Sequence, residues 1–212
     1  AIKILGKKNS KSFLINIGAQ IGSTCIPAIK NNYFKNLIAF EPAKKTFRLL
    51  KANIFLNGIE DRTKIYNLAL SNKKTNLHLG ERIESNIGSS RILTKKQKNS
   101  EIVKSDLLDN YTNGLNRNNS LIFMDAEGHE PYILLGAKKT LKKRIPIVFE
   151  FAPKILDKHW LKNLSIVFKN YNFFYDLQSQ SLKKEKFNKK TLVALFNKLN
   201  TKEEIYTDLM II

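Results

Sequence analysis

One cysteine in 212 residues, Cys25, leaves no internal disulfide and no cysteine-based metal cage. That usage suits a reducing compartment, and the cytoplasm is the expected location. Cys25 follows a glycine turn where a helix should begin, and it reads as a packed thiol rather than a nucleophile. No apolar run reaches the roughly 18–20 residues that cross a bilayer, and the opening AIKILGKKNSKS has no secretory-signal pattern. The first residue is Ala, so processing or a segment preceding Ala1 is expected. Two phosphate-binding fingerprints are missing as well: G-x-x-x-x-G-K-[ST] and the closely spaced G-x-G-x-x-G. Acids are scarce, with 18 Asp and Glu against 37 Lys and Arg.

The resulting net charge of +19 would attract phosphates, nucleic acids or anionic headgroups. However, the lysines are strewn in pairs from Lys7-Lys8 to Lys189-Lys190 and are not interleaved with aromatics at an RNA-binding spacing. Lys, Asn and Ile are abundant together, as codon usage in an AT-rich genome would produce. An apolar content of 42% with 10% aromatics is that of a globular chain. The length fits one domain, expected to span residues 1–212.

SFLINIGAQIG reads as a buried strand, a glycine turn and a helix start, and NLIAFEP as a second strand closed by Glu41-Pro42. A helix is expected from Pro42, with Phe47, Leu50 and Ile54 on one face and Asn57-Gly58 at its end. TKIYNLALS reads as a third strand. Alternating strands and helices of this kind imply a parallel sheet with right-handed crossovers. Residues 72–119 break the rhythm with a short strand in TNLHLG, a polar, flexible ERIESNIGSSRILTKKQKNS, and a short edge strand in SEIVKSDLLDNY. This insertion reads as a substrate-facing region, with a mobile surface loop as the equal alternative. SLIFMDAEG then gives the fourth parallel strand, followed by a helix with Leu134, Ala137 and Leu141 on one stripe. IPIVFEF, YNFFYDLQ and YTDLMII read as further strands, with a helix in DKHWLKNLSIVFKN.

In an open parallel sheet, ligands bind beyond the carboxyl ends of the strands. Those ends carry Asn16 to Gly22, Glu41-Pro42, Ala69-Leu70-Ser71 and Asp125 to Glu130. Gly18 and Gly22 allow a tight turn and a close ligand approach. Glu41, about twenty residues on, can accept hydrogen bonds from both hydroxyls of a ribose. The missing middle glycine argues against a dinucleotide. S-adenosylmethionine has a ribose and no phosphate, and it fits this pattern better.

FLINIGAQIGS, IAFEP, NLALSN, IFMDAEGHEPYILLGAKKTL and IVFEF, in this order and spacing, resemble the FkbM family of S-adenosylmethionine-dependent methyltransferases. The resemblance spans roughly Phe13 to Phe151, and YTDLMII resembles the family's closing strand. It implies a class I, doubly wound Rossmann-like α/β fold, with a seven-stranded, mostly parallel sheet whose last strand runs antiparallel. It also implies O-methylation of a hydroxyl on a sugar, polyketide or similar metabolite. Asn16 and Gln20 stand where the family usually has Asp and Asn. Asn16 keeps a carbonyl acceptor but lacks the charge. Carried over residue by residue, Asn16, Gly18, Ala19, Gln20 and Gly22 would surround the methionyl part of the cofactor. Glu41 would hold the ribose, Pro42, Ala69 and Leu70 would flank the adenine, and Asp125 would sit near the transferring methyl.

Methyl transfer is an in-line displacement, so the protein must align the partners and take a proton from the acceptor hydroxyl. His129 or Glu127 could be that base, with Asp125 orienting it or the acceptor. His needs little tuning near neutral pH, and His129 is preferred. The plainer reading of Glu127 and Glu130 is that they favour the start of the following helix. No ligand spacing compels a metal at Asp125, Glu127 and Glu150. His78 and His159 read as structural. The expected partner is a small-molecule or saccharide acceptor rather than nucleic acid. A nucleic-acid methyltransferase and a non-catalytic cofactor-binding module are the alternatives. DAEG stands where base methylation commonly uses [N/D/S]-P-P-[Y/F/W], and Asn16 and Gln20 motivate the module.

Overall fold

The computed structural model describes residues 1–5, 11–81, 90–93, 96–156, 159–201 and 206–212. A one-turn helix α1 (Ile2–Leu5) precedes β1 (Lys11–Ile17), α2 (Cys25–Lys30), β2 (Phe34–Phe40), α3 (Lys44–Leu56) and β3 (Thr63–Tyr66). A second group of strands follows: β4 (Ala69–Leu70), β5 (Thr75–Glu81), β6 (Ser90–Leu93) and β7 (Glu101–Asp106). The main layer resumes with β8 (Ser120–Met124), α4 (Glu130–Leu135), α5 (Lys138–Lys142) and β9 (Ile147–Phe151). It closes with α6 (Trp160–Leu164), β10 (Phe173–Asp176), β11 (Lys184–Lys186), α7 (Lys189–Asn200) and β12 (Thr207–Ile211).

The main sheet has the order β11-β10-β12-β9-β8-β1-β2-β3. Strands β3, β2, β1, β8 and β9 are parallel, and β12 runs antiparallel to both β9 and β10. The expected seven-stranded sheet with an antiparallel last strand is therefore present, and the three-residue β11 adds an eighth at the edge. Strand order reverses between β1 and β8, which opens a crevice at their carboxyl ends. The central strands are buried on both faces, with Ile15, Ile122 and Ile147 at 0% exposure on one and Leu14, Leu121 and Val148 at 3%, 3% and 1% on the other. Burying each such side chain contributes about 1.5–3 kcal/mol, enough to fix the register of β1 between β2 and β8.

TKIYNLALS is not one strand. The chain leaves the main sheet after Tyr66, where the Asn67 side chain donates to the carbonyls of Glu41 and Pro42, both at 2.9 Å. Ala69 and Leu70 then pair with Ser105 and Asp106 in a separate sheet of order β4-β7-β5-β6. The insertion thus supplies β5, β6 and β7 to a small sheet, packed through Ala69, Leu79 and Val103 against Ala43 at the start of α3. Within the stretch read as polar and flexible, Ser90–Leu93 is a strand, while residues 82–89 and 94–95 lie outside the described residues. The helix expected from Pro42 begins two residues later, at Lys44, with Leu50 and Ile54 buried as its spacing implied.

Leu134, Ala137 and Leu141 are all fully buried, as their stripe implied, but the helix they share is broken at Gly136. A Cβ on Gly136 would lie 2.1 Å from the carbonyl oxygen of Ser71. The break lets the end of β4 press against the helix backbone. Cys25 is fully buried, and burial pushes its thiol up to about 11, so it is a packed thiol. His78 on β5 shares a hydrogen bond with Ser100 Oγ at 3.3 Å, and His159 precedes Trp160 at the start of α6.

Two glycines make a contrast that tests this packing. Gly58 has φ +60° with nothing within 4 Å of an added Cβ, whereas Gly136 has an ordinary φ and no room. Gly58→Ala is expected to cost about 1 kcal/mol through its backbone alone. Gly136→Ala is expected to cost about 3 kcal/mol through overpacking. Urea unfolding of the two variants checks the order.

Candidate active site

The glycine turn after β1 is built by close backbone approach. The N–H groups of Gly18 and Ala19 donate to the Phe40 carbonyl at the end of β2, at 3.0 and 2.9 Å. Gly18 has φ +75°, and a Cβ there would lie 1.8 Å from the carbonyl oxygen of Asp125, so only glycine lets β1 and β8 end side by side. Gly22, at φ +94°, makes room for Ile26 and Leu50 instead. Between them Gln20 adopts φ +49° and points its N–H at Glu41.

Glu41 is the best-defined acid of the turn. It is 4% exposed; its Oε2 accepts from the Gln20 N–H and its Oε1 from the Ala43 N–H, both at 2.9 Å. Burial pushes its carboxyl up to about 7, against those two N–H groups, which favour the carboxylate. A carboxylate has about four lone-pair sites, so each oxygen can accept again from a ligand.

Across the crevice, Asp125 follows β8, and the chain turns sharply through Glu127 at φ +51° and Gly128 at φ +90°. Glu130 holds this turn. Its carboxylate is 2% exposed and accepts the Ala126 N–H at 2.6 Å. Glu130 thus does more than favour a helix start. Burial, with Glu150 and Asp125 nearby, pushes it up to about 8. Asp125 is raised by burial and by Asp208, which is itself raised by burial and by Asp176. His129 ends the turn, with its ring stacked on Tyr132 at 5.0 Å and Nε2 2.9 Å from Ser71 Oγ.

One cleft, open to solvent at its mouth, brings nine of the expected residues together. They are Gly18, Gln20, Glu41, Pro42, Ala69, Leu70, Asp125, Glu127 and His129. Asn16, Ala19 and Gly22 do not line it. Asn16 and Ala19 lie buried below it, at 1% and 4% exposure, and Asn16 Oδ1 has no hydrogen-bond partner. Leu79, Ser90 and Ile92 reach the cleft from the small sheet. Ser71 and Glu130 carry contacts that their sequence positions did not announce. None of the described residues lining the cleft is Lys or Arg.

Residues 16–175 match the family model described as the methyltransferase FkbM domain. A crystal structure of methyltransferase FkbM from Methylobacillus flagellatus KT is similar in fold, at 12% identity and a TM-score of 0.56. That alignment covers 96% of this chain and 44% of the other, so the chain spans less than half the length of that relative. M. capricolum TrmK, solved with S-adenosylhomocysteine, aligns at 13% identity and a TM-score of 0.49, over 99% of this chain and 66% of its own. No curated protein sequence matches the chain.

The buried acids set a pH dependence of stability. Glu41 and Glu130 have folded values above their unfolded ones. The stability they contribute is complete below about pH 4.5 and is lost as pH rises through about 7 and about 8. The melting temperature is therefore expected to fall on the order of 5–10 °C between pH 5 and pH 9. Glu130→Gln keeps the acceptor for Ala126 N–H and removes the ionisation, so its melting profile should be flatter in scanning calorimetry. An equally steep profile would contradict this assignment.

Proposed function

We propose that this chain, which belongs to the FkbM methyltransferase domain family, binds S-adenosylmethionine in the cleft and moves its methyl group to a hydroxyl of a small acceptor such as a sugar or polyketide. The observation that carries the reading is Glu41: a buried carboxylate pinned by two N–H groups, facing the turn of Gly18 and Gln20, with Asp125, Glu127 and His129 across the cleft. The residues present fit the cofactor. Glu41 keeps acceptor capacity for two ribose hydroxyls, and apolar Pro42, Ala69 and Leu70 can flank a flat base. The orphaned Asn16 Oδ1 lacks a donor, and an ammonium at the methionine end can supply one.

When bound, S-adenosylmethionine supplies a methyl group on a good leaving group. The chain's own residues then have three tasks. Glu41 fixes the donor, and the apolar wall of Leu70, Leu79, Ile92 and Ile133 excludes water from part of the cleft. Asp125 orients the acceptor at the end of β8. His129, which lines the cleft, takes the hydroxyl proton as general base. The lack of Lys and Arg among the described lining residues favours an acceptor without phosphates, despite the +19 net charge.

Titration calorimetry with S-adenosylmethionine checks the cofactor half. Glu41→Ala is expected to weaken binding about 10–100-fold, the worth of hydrogen bonds to a charged group. The wild type should bind more weakly at pH 6 than at pH 8, because Glu41 is protonated below about 7. No heat at millimolar cofactor would sink the enzyme reading. Transfer of tritiated methyl to a panel of glycosides and polyketide alcohols checks the chemistry. His129→Ala is expected to slow transfer about 100-fold, with cofactor affinity unchanged.

A further inference from the structure

We propose that the outer face of α3 docks the protein on an anionic phospholipid bilayer, with Phe55 and Leu56 entering the membrane and the surrounding lysines and arginine holding the headgroups. α3 has two unlike faces. Thr46, Leu50 and Ile54 lie on its buried stripe. Opposite them, Phe55 and Leu56 are 70% and 78% exposed, more than any other large apolar side chain among the described residues. Leu49 is exposed on the same helix, and so is Ile21 in the glycine turn. Single exposed apolar residues are ordinary on a protein surface, but a group of four is not.

Helical spacing and two hydrogen bonds bring this group together. Arg48, Lys51, Ala52 and Phe55 follow one another at three- and four-residue steps, as do Lys45, Leu49, Ala52 and Leu56. The Asn53 side chain donates to the Ile21 carbonyl at 2.8 Å, which ties the glycine turn to the same helix. Lys30, at the end of α2, donates from Nζ to the Asn57 carbonyl at 3.1 Å and adds its charge beside Leu56. Of α3, only Thr46 lines the cleft, so the outer face can be covered while the cleft stays open.

Charge complementarity selects the occupant. α3 contains Lys44, Lys45, Arg48 and Lys51 and no acid. The acids nearest to it stand at its two ends: Glu101 accepts the Lys44 N–H at 3.4 Å, and Glu60 and Asp61 follow Gly58. A second copy meeting this face about a two-fold axis would set Arg48 and Lys51 against their own like charges. A nucleic acid would satisfy the cations, but single strands bind by stacking bases on aromatic rings, and Phe55 is the only ring among the four apolar side chains. An anionic bilayer satisfies both kinds of group at once. Its interior takes Phe55 and Leu56, and its headgroups take cations whose long stems lie along the apolar surface. The net charge of +19 then draws the protein to the membrane from a distance, and this face decides how it lands.

Co-sedimentation of the full chain with vesicles tests the proposal and needs neither cofactor nor acceptor. Binding is expected to vesicles of phosphatidylcholine and phosphatidylglycerol in equal parts, not to phosphatidylcholine alone, and it should weaken in high salt. Replacing Phe55→Ser together with Leu56→Ser should lower partitioning about 10–100-fold while the melting temperature is kept, because both side chains are exposed. Arg48→Glu with Lys51→Glu should lower it about 10-fold or more, whereas the charge-matched pair Lys189→Glu and Lys190→Glu, exposed on α7, should change it far less. In Phe55→Trp, the tryptophan emission should shift to shorter wavelength on adding the anionic vesicles. No co-sedimentation, an unaffected Phe55→Ser and Leu56→Ser variant, or an α7 pair that loses as much as the α3 pair would overturn the proposal. So would a dimer in sedimentation velocity that the Phe55→Ser and Leu56→Ser variant abolishes. Tighter binding to a labelled RNA than to the vesicles, lost in Arg48→Glu with Lys51→Glu but kept without Phe55 and Leu56, would assign the face to nucleic acid instead.

Discussion

Two backbone N–H groups, from Gln20 and Ala43, converge on the buried carboxylate of Glu41, and the cleft takes its form from that convergence. Gln20 belongs to the turn after β1 and Ala43 to the approach to α3, so one side chain ties two βα connections together. The strand ends around it are equally constrained. Gly18 must be glycine because the Asp125 carbonyl occupies the place of its Cβ. The acid is costly to bury, as its raised value of about 7 shows, and the two N–H groups offset only part of that cost. A ligand with paired hydroxyls would offset more. A site that is electrostatically incomplete by itself is what a cofactor pocket needs.

The other wall depends on a second close approach. The missing Cβ of Gly136 admits the Ser71 carbonyl, which breaks one helix into two and brings the small sheet against the β8 turn. Glu130 then braces the turn from inside through Ala126. The acids of DAEGHE consequently divide between jobs. Glu130 is buried in the scaffold, whereas Asp125, Glu127 and His129 face the cleft.

Much of this was legible in the sequence because it is written in backbone chemistry. Glycines at 18 and 22, an acid at 41 and an acid at 125, each closing an apolar run, locate the strand ends of a parallel sheet without any tertiary information. Harder to read were features set by partners distant along the chain. TKIYNLALS is apolar enough for one strand, and only the Asn67 side chain reaching Glu41 and Pro42 shows why it leaves the main sheet. Ser90–Leu93 sits in a mostly polar stretch and becomes a strand because β5 pairs with it. The fully exposed β11 has no apolar signal at all. In contrast, α7 carried a readable one: Leu192 and Leu199 lie at helical spacing after an Asn188–Thr191 capping box. Glu130 looked like an ordinary helix-start acid, and its burial could be known only once β8 and β9 were side by side.

The most direct measurement is a crystal structure of the protein with S-adenosylhomocysteine. The expected result is a ribose whose two hydroxyls lie within hydrogen-bond distance of the Glu41 carboxylate, with the sulfur facing Asp125 and His129. A ligand bound elsewhere, or in this cleft with its ribose away from Glu41, would contradict the assignment.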